Sequence, residues 1–216
     1  VTRTRGQAMT GARLVEPDEG PRSKRGAILA AAVEYFGETG YEATKWSAVA
    51  GRVGIGQTAL YHYFESKAHC LLTIMRLELQ RSRDQFVEAT EGETDPVAAL
   101  RAAVRAAFAV SESEILQMRI LQNNMVLLAG PRASEREETE RRAARELVQS
   151  IERDWTRLIT QGMSQGVFPV RDAHTLALAM LGMIISVWRW YRPGGPTPLA
   201  EVRELIEGCC IRMVTE

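Results

Sequence analysis

Between Val49 and Lys67 the sequence reads VAGRVGIGQTALYHYFESK, a stretch dense in side chains suited to recognising another molecule. The Gln57 amide both donates and accepts, which matches an adenine edge, and the Thr58 methyl suits the methyl group of thymine. Tyr61 and His62 can reach phosphate oxygens. Lys67 and Thr44 stand where helices begin, and there free backbone N–H groups and the helix dipole favour an anion. Lys45 and Ser47 follow Thr44 directly. Nothing comparable points to catalysis. There are 3 histidines, none beside a serine or aspartate in a recognisable catalytic spacing, and no phosphate-binding glycine loop. Neither an enzyme nor a cofactor is expected.

The elements that must position these groups are helices. From Ser23, Ala27, Ile28, Ala31, Ala32, Tyr35 and Phe36 recur at intervals of three and four, and Gly37–Gly40 closes the first helix. A second helix opens at Thr44 as N-cap and buries Val49, Ala50 and Val53 before Gly54. The third is short, from about Gln57 to Phe64. Ala50 is small where the two cross, Gly54 supplies the turn, and Ile55, Leu60 and Phe64 face the core. Gln57, Thr58, Tyr61 and His62 then occupy the outer face of a helix-turn-helix. The long fourth helix starts at Glu65-Ser66-Lys67. Further helices follow over about 95–110, 115–128, 134–162, 172–191 and 198–214, which makes an all-α chain of about nine helices with no strand signal.

The 216 residues carry 27 basic and 27 acidic side chains, so net charge says nothing of nucleic acid, but its distribution does. All three lysines (Lys24, Lys45, Lys67) and a cluster of arginines (Arg3, Arg5, Arg13, Arg22, Arg25) lie in the first third. Residues 1–21 read as a disordered basic arm. Cys70, Cys209 and Cys210 make no disulfide framework, so a reducing cytoplasm is expected. No uninterrupted apolar run reaches about 18 residues, and no membrane span is expected.

TGYEATKWSAVAGRVGIGQTALYHYFESKAHCL, residues 39–71, resembles the DNA-binding domain of the tetracycline-repressor (TetR) family. It carries the Phe-x-x-x-Gly-Tyr-x-x-Thr start, the Ala-x-x-x-Gly turn and the Leu-Tyr-x-x-Phe-x-x-Lys ending, and the likeness spans about residues 22–72. Gly56 departs from the usual Ser or Thr cap, and Trp46-Ser47 replaces a more usual Val-Arg pair. The resemblance implies a three-helix DNA-binding domain over 22–68 and a helical ligand-binding and dimerisation domain over 69–216. It gives Thr44, Lys45, Ser47, Gln57, Thr58, Tyr61, His62 and Lys67 roles on double-stranded operator DNA. The last two helices would form the homodimer seam through Leu178, Leu181, Ile185, Leu205 and Ile206. A small-molecule effector would meet Met118, Leu121, Gln122, Met125, Trp155, Met163 and Met180, because methionine-rich linings repack around varied ligands. VWRWYRPGGPTP, residues 187–198, is similar to a segment of members that answer to acyl-CoA thioesters, which adds Trp188 and a phosphate-pairing Arg192. The alternative is a redox- or metal-responsive regulator on the same scaffold, using Cys70 with His69 or the Cys209/Cys210 pair. Either way, the expected molecule is a regulator, with repression the expected mode.

Overall fold

Side-chain caps set five of the helix starts. Ser66 accepts the His69 amide, Asp95 those of Val97 and Ala98, and Ser134 that of Glu137; Asp172 accepts those of His174 and Thr175. Ser111 and Glu114 form a reciprocal capping box. The computed structural model describes residues 21–216. The expected basic arm, Arg3, Arg5 and Arg13 included, lies outside the described residues except for Pro21. Every regular element among them is a helix: α1 Pro21–Thr39, α2 Trp46–Val53, α3 Gln57–Tyr63, α4 Lys67–Thr90, α5 Pro96–Ala107, α6 Glu112–Asn123, a 3-10 turn Met125–Leu128, α7 Glu135–Ser164, α8 Ala173–Trp190 and α9 Leu199–Thr215.

Several boundaries differ by a few residues from the sequence reading, and two of them have a visible setting. Gly37 stays inside α1 instead of ending it; α6 packs against it there, and a Cβ at Gly37 would lie 3.1 Å from Leu116 Cδ2. The helix expected over 115–128 breaks at Asn124. Its side-chain amide donates to the Ile120 carbonyl at 2.7 Å, and its backbone N–H tightens onto Leu121 O. That competition with the helix ladder turns the chain into the 3-10 segment.

The buried side chains form two cores joined along α4. Ile28, Phe36, Val49, Leu60 and Phe64 of α1–α3 pack on Leu71, Leu72 and Met75 in the first turns of α4, and Ile120, Leu121 and Leu128 close this core from above. Farther along α4, Phe86 joins Leu100, Trp155, Ile159, Met180 and Trp188 in the second core, among α5, α7, α8 and α9. At 1.5 Å per residue, the 24-residue α4 is a rod of about 36 Å running through both. Arg76–Glu140 and Arg83–Asp154 pin it to α7, and Glu207 of α9 takes Arg101 and Arg105 of α5. Among the described residues, α8 alone is long and apolar enough to cross a membrane by length and composition; here it packs against α6, α7 and α9.

Gly162 near the end of α7 has no room for a side chain. Its carbonyl accepts the Val167 and Phe168 amides, and the Phe168 ring lies over it, 2.1 Å from where a Cβ would stand. Gly162→Ala should therefore lower stability by about 1–3 kcal/mol through overpacking, even though alanine is the better helix former. Thermal denaturation checks this, and an unchanged or raised Tm would show that Phe168 repacks at no cost.

Candidate nucleic-acid interface and ligand cavity

α2 ends on Gly54 in the left-handed region (φ 70°), whose N–H returns to the Ala50 and Gly51 carbonyls. Glycine adopts that backbone without the Cβ clash other residues meet. After Ile55 and Gly56, α3 begins at Gln57. Leu60 and Phe64 are fully buried and fix α3 on the core, while Gln57, Thr58, Tyr61 and His62 are all exposed. Arg25 of α1 stacks over the Phe64 ring at 4.7 Å and steadies the far end of α3. Lys45 and Ser47 are exposed at the start of α2, and Trp46 between them turns inward. The six exposed groups offer a polar rim with donors, acceptors and one methyl.

Two residues expected at this rim are placed otherwise. Thr44 is buried, and it is not the N-cap of α2. That position falls to Lys45, whose side chain makes no cap bond. The Thr44 hydroxyl lies 2.7 Å from the Gly40 carbonyl and 3.1 Å from that of Tyr35, and its amide donates to Gly40 O. It closes the end of α1, leaving neither group for phosphate. The Lys67 ammonium donates to the carbonyls of Tyr41, Glu42 and Thr44 at 2.7, 3.2 and 3.1 Å and sits 4.4 Å over the Tyr41 ring. Its three donors are all occupied, so it braces the α1–α2 loop against α4.

A second joint, invisible in the sequence reading, ties this head to the body. The N-termini of α4 and α7 face each other and exchange carboxylates. Ser66 Oγ donates to Glu137 Oε1 at 2.6 Å, and Ser134 Oγ donates to Glu65 Oε1. Arg132 adds an ion pair to Glu137 at 2.9 Å. Burial pushes the Glu137 carboxyl up, but the bonds from Ser66 and Arg132 outweigh it and hold it below the usual glutamate range. The Ser-x-x-Glu spacing of Ser134 and Glu137 signals a cap in the sequence. That the same serine also serves a residue on another helix does not show there.

An apolar cavity of about 90 Å³ opens in the body between α4, α5, α6, α7 and α8. Met118, Leu121, Gln122, Trp155 and Trp188 of the expected ligand set line it, with Leu79, Phe86, Ile151 and Ile184. Gln122 and Ser82 are its polar side chains. Met125, Met163, Met180 and Arg192 are not part of its wall. Met125 lies on an outer groove with Leu128, Arg145 and Val148. Met180 is locked in the second core, Met163 packs at the far end of α7, and Arg192 is exposed beyond the end of α8. Helical spacing gives soft side chains on several faces, and the packing of the five helices selects which of them meets the void.

The expected dimer residues divide in a similar way. Leu178 and Leu205 are exposed, as is Trp190. Leu181 and Ile185 reach the cavity wall, with Ile185 still 36% exposed. Ile206 is buried in the second core, so it is not part of an outer face.

The cysteine alternative has two of its three thiols deeply buried; Cys209 is half-buried, its sulfur 3.5 Å from Arg212 Nη2. Burial drives the Cys70 thiol far above its usual range and pushes Cys210 up to about 12, so both stay protonated and unreactive. The buried His69 ring accepts the Glu65 amide at its Nδ1. No three His, Cys, Asp or Glu side chains among the described residues converge as a metal site would require.

The family model described as bacterial regulatory proteins, tetR family, matches residues 28–74, and the tetracyclin repressor-like C-terminal domain matches residues 93–214. The chain is 28% identical over 184 residues to the HTH-type transcriptional repressor KstR2 of Mycobacterium tuberculosis (strain ATCC 25618 / H37Rv), covering 83% of this chain and 87% of that one. It is 32% identical over 101 residues to the HTH-type transcriptional activator FasR of Mycolicibacterium smegmatis, covering 47% and 46% of the two chains. Among solved structures, the TetR family transcriptional regulator PfmR from Thermus thermophilus superposes with a TM-score of 0.72 at 29% identity, covering 86% of this chain and 97% of that one. AibR in complex with isovaleryl coenzyme A and operator DNA has the same fold, with a TM-score of 0.72 at 21% identity and the same coverage of 86% and 97%.

Proposed function

This chain belongs to the tetR family of bacterial DNA-binding transcriptional regulators, and we propose that it acts as a homodimeric repressor released from a palindromic operator by an acyl-CoA thioester. The observation that carries the DNA part is the exposed quartet Gln57, Thr58, Tyr61 and His62, held out by the buried Leu60 of the same short helix and Phe64 at its end. One such helix reads a half-site. Two, related by a two-fold axis and spaced about 34–36 Å apart or a multiple of it, read successive turns of the duplex. The exposed leucines and tryptophan of α8 and α9 support a second copy packing there, since a water-facing row of large apolar side chains is ordinarily covered.

The effector part draws on the cavity in the body and on the acyl-CoA held by AibR, whose fold this chain shares. Both α4 and α6 border the cavity, and the first turns of α4 carry α3. A ligand that wedges them apart alters the angle of the reading helix. A typical coupling of about 1–3 kcal/mol weakens operator binding roughly 5- to 150-fold.

The test is selection of bound duplexes from a random pool, followed by titration of the recovered DNA complex with isovaleryl-CoA and longer acyl-CoAs. The expected result is an inverted repeat whose complex dissociates on addition of one of them. Recovery of DNA without a repeated half-site would overturn the dimeric operator reading. A complex indifferent to every thioester would overturn the effector.

A further inference from the structure

The void in the body is small, and its size limits which part of an effector it can take. A site that encloses most of a ligand has about 300–1,000 Å³. This one has about 90 Å³. An apolar cavity of about 150 Å³ holds one benzene, which is about 25 Å³ per carbon. On that scale the space among α4 to α8 takes about three to four carbons. Its wall carries no charged side chain among the described residues, and Gln122 and Ser82 are its polar ones, so the part that enters is hydrocarbon. The partly exposed Ile185 and Gln122 mark where that wall meets solvent.

The wall resists widening. Trp155 packs on Phe86 and Trp188 on Phe108, each pair with ring centroids 5.4 Å apart, and both indoles are buried in the second core. A longer tail must drive an indole into space that is already filled, and close-packed interiors yield little of it. The room that exists is bordered by Ala103 and Ala107 of α5, whose methyl groups leave open what a larger side chain would close. On the facing side Met118 of α6 fills part of the chamber with a flexible thioether.

We infer that the cavity gauges chain length: it admits a short acyl tail of about three to four carbons beyond the carbonyl and shuts out medium and long chains. Met118 and Ala107 set the limit, the first by what it fills and the second by what it leaves open. The polar remainder of the ligand stays outside the void. This rests on the acyl-thioester reading above for the class of ligand, while the limit on length stands on the wall alone.

The full 216-residue chain is titrated calorimetrically with coenzyme A and with its butyryl, isovaleryl and octanoyl thioesters. Isovaleramide and octanamide, which carry two of the same tails without the coenzyme, are followed by NMR of the Met118 methyl group. Butyryl- and isovaleryl-CoA should bind about tenfold or more tightly than either coenzyme A or octanoyl-CoA. Met118→Ala enlarges the void and should move the preference toward octanoyl-CoA. Ala107→Leu fills the void and should erase the gain of any tail over coenzyme A; because it closes space, it keeps the test open if Met118→Ala unfolds the core. Thermal melts establish that each variant is folded. Octanoyl-CoA binding as tightly as isovaleryl-CoA to the wild type overturns the gauge and leaves the effector reading standing. Isovaleramide shifting the methyl resonance where octanamide does not, with no thioester bound, upholds the gauge and overturns the thioester. Thioesters that all bind no better than coenzyme A, with neither amide bound, overturn the gauge, and no binding of any probe overturns both.

Discussion

Replacing Gln57 and Tyr61 together by alanine should abolish sequence-specific operator binding and leave the melting curve where it was. Gln57 is the one side chain on α3 able to pair with an adenine edge through two bonds, a contact worth about 1–3 kcal/mol of discrimination. Tyr61 is 44% exposed and reaches outward from the same face. Losing both leaves the Thr58 methyl as the remaining base contact, while the exposed Lys45, Ser47 and His62 and the backbone hold phosphate, contacts that position a protein without reading sequence. Binding should fall by two orders of magnitude or more on the selected operator and little on random duplex. Stability should hold, because the buried side of α3 is Leu60 and Phe64 and neither is touched. Fluorescence anisotropy on both duplexes, beside a thermal melt, reads the two effects separately. If the double variant still distinguished operator from random DNA, α3 would not be the reading element.

The second large effect is expected at the joint between the head and the body. Glu137→Ala removes the carboxylate that Ser66 and Arg132 share and leaves a half-buried guanidinium without its partner. Breaking a partly buried, doubly bonded pair from one side should cost about 2–3 kcal/mol. The pH dependence has a definite sign. The folded carboxyl is held below the ordinary glutamate value of 4.5, so its contribution is complete above that value and fades as pH falls through the lower, folded one. The gap in stability between wild type and Glu137→Ala should thus be widest near neutrality and close in acid. Operator affinity should fall as well, because Ser66 caps the helix from which α3 hangs. A gap that stayed constant from neutral to acid pH would mean that packing, and not the charge, holds the joint. Unchanged operator affinity would mean that the head keeps its angle without it.

How much of the site is legible in the sequence differs between Leu60 and Lys67, seven residues apart. Periodicity puts Leu60 in the core and Gln57 outside it, because a helix repeats every 3.6 residues, and Gly54 announces the turn that starts the next helix. The same local logic makes Lys67 a phosphate contact at a helix start. Its actual partners, the Tyr41, Glu42 and Thr44 carbonyls, lie more than twenty residues away in sequence. Thr44 departs from expectation likewise: a threonine before a helical run is a good cap on average, but this one is drawn to the end of α1. Met180 and Ile206 show the same limit in the body. Their apolar character is plain in the sequence, and the surface each meets is not.

From its residues alone, then, this chain specifies its run of helices, the apolar face of most of them, and the polar quartet that the third helix turns to solvent. Those properties follow from dihedral preferences, caps and periodicity, all of which act within about one turn of chain. The third dimension decides the carboxylate exchange between α4 and α7, the loop carbonyls that take Lys67 and the small void behind Trp188. Each depends on how two rods cross, and a shift of one residue in that crossing brings a different pair of side chains together. The energy that selects the crossing is spread over two entire cores, so no short stretch of sequence displays it.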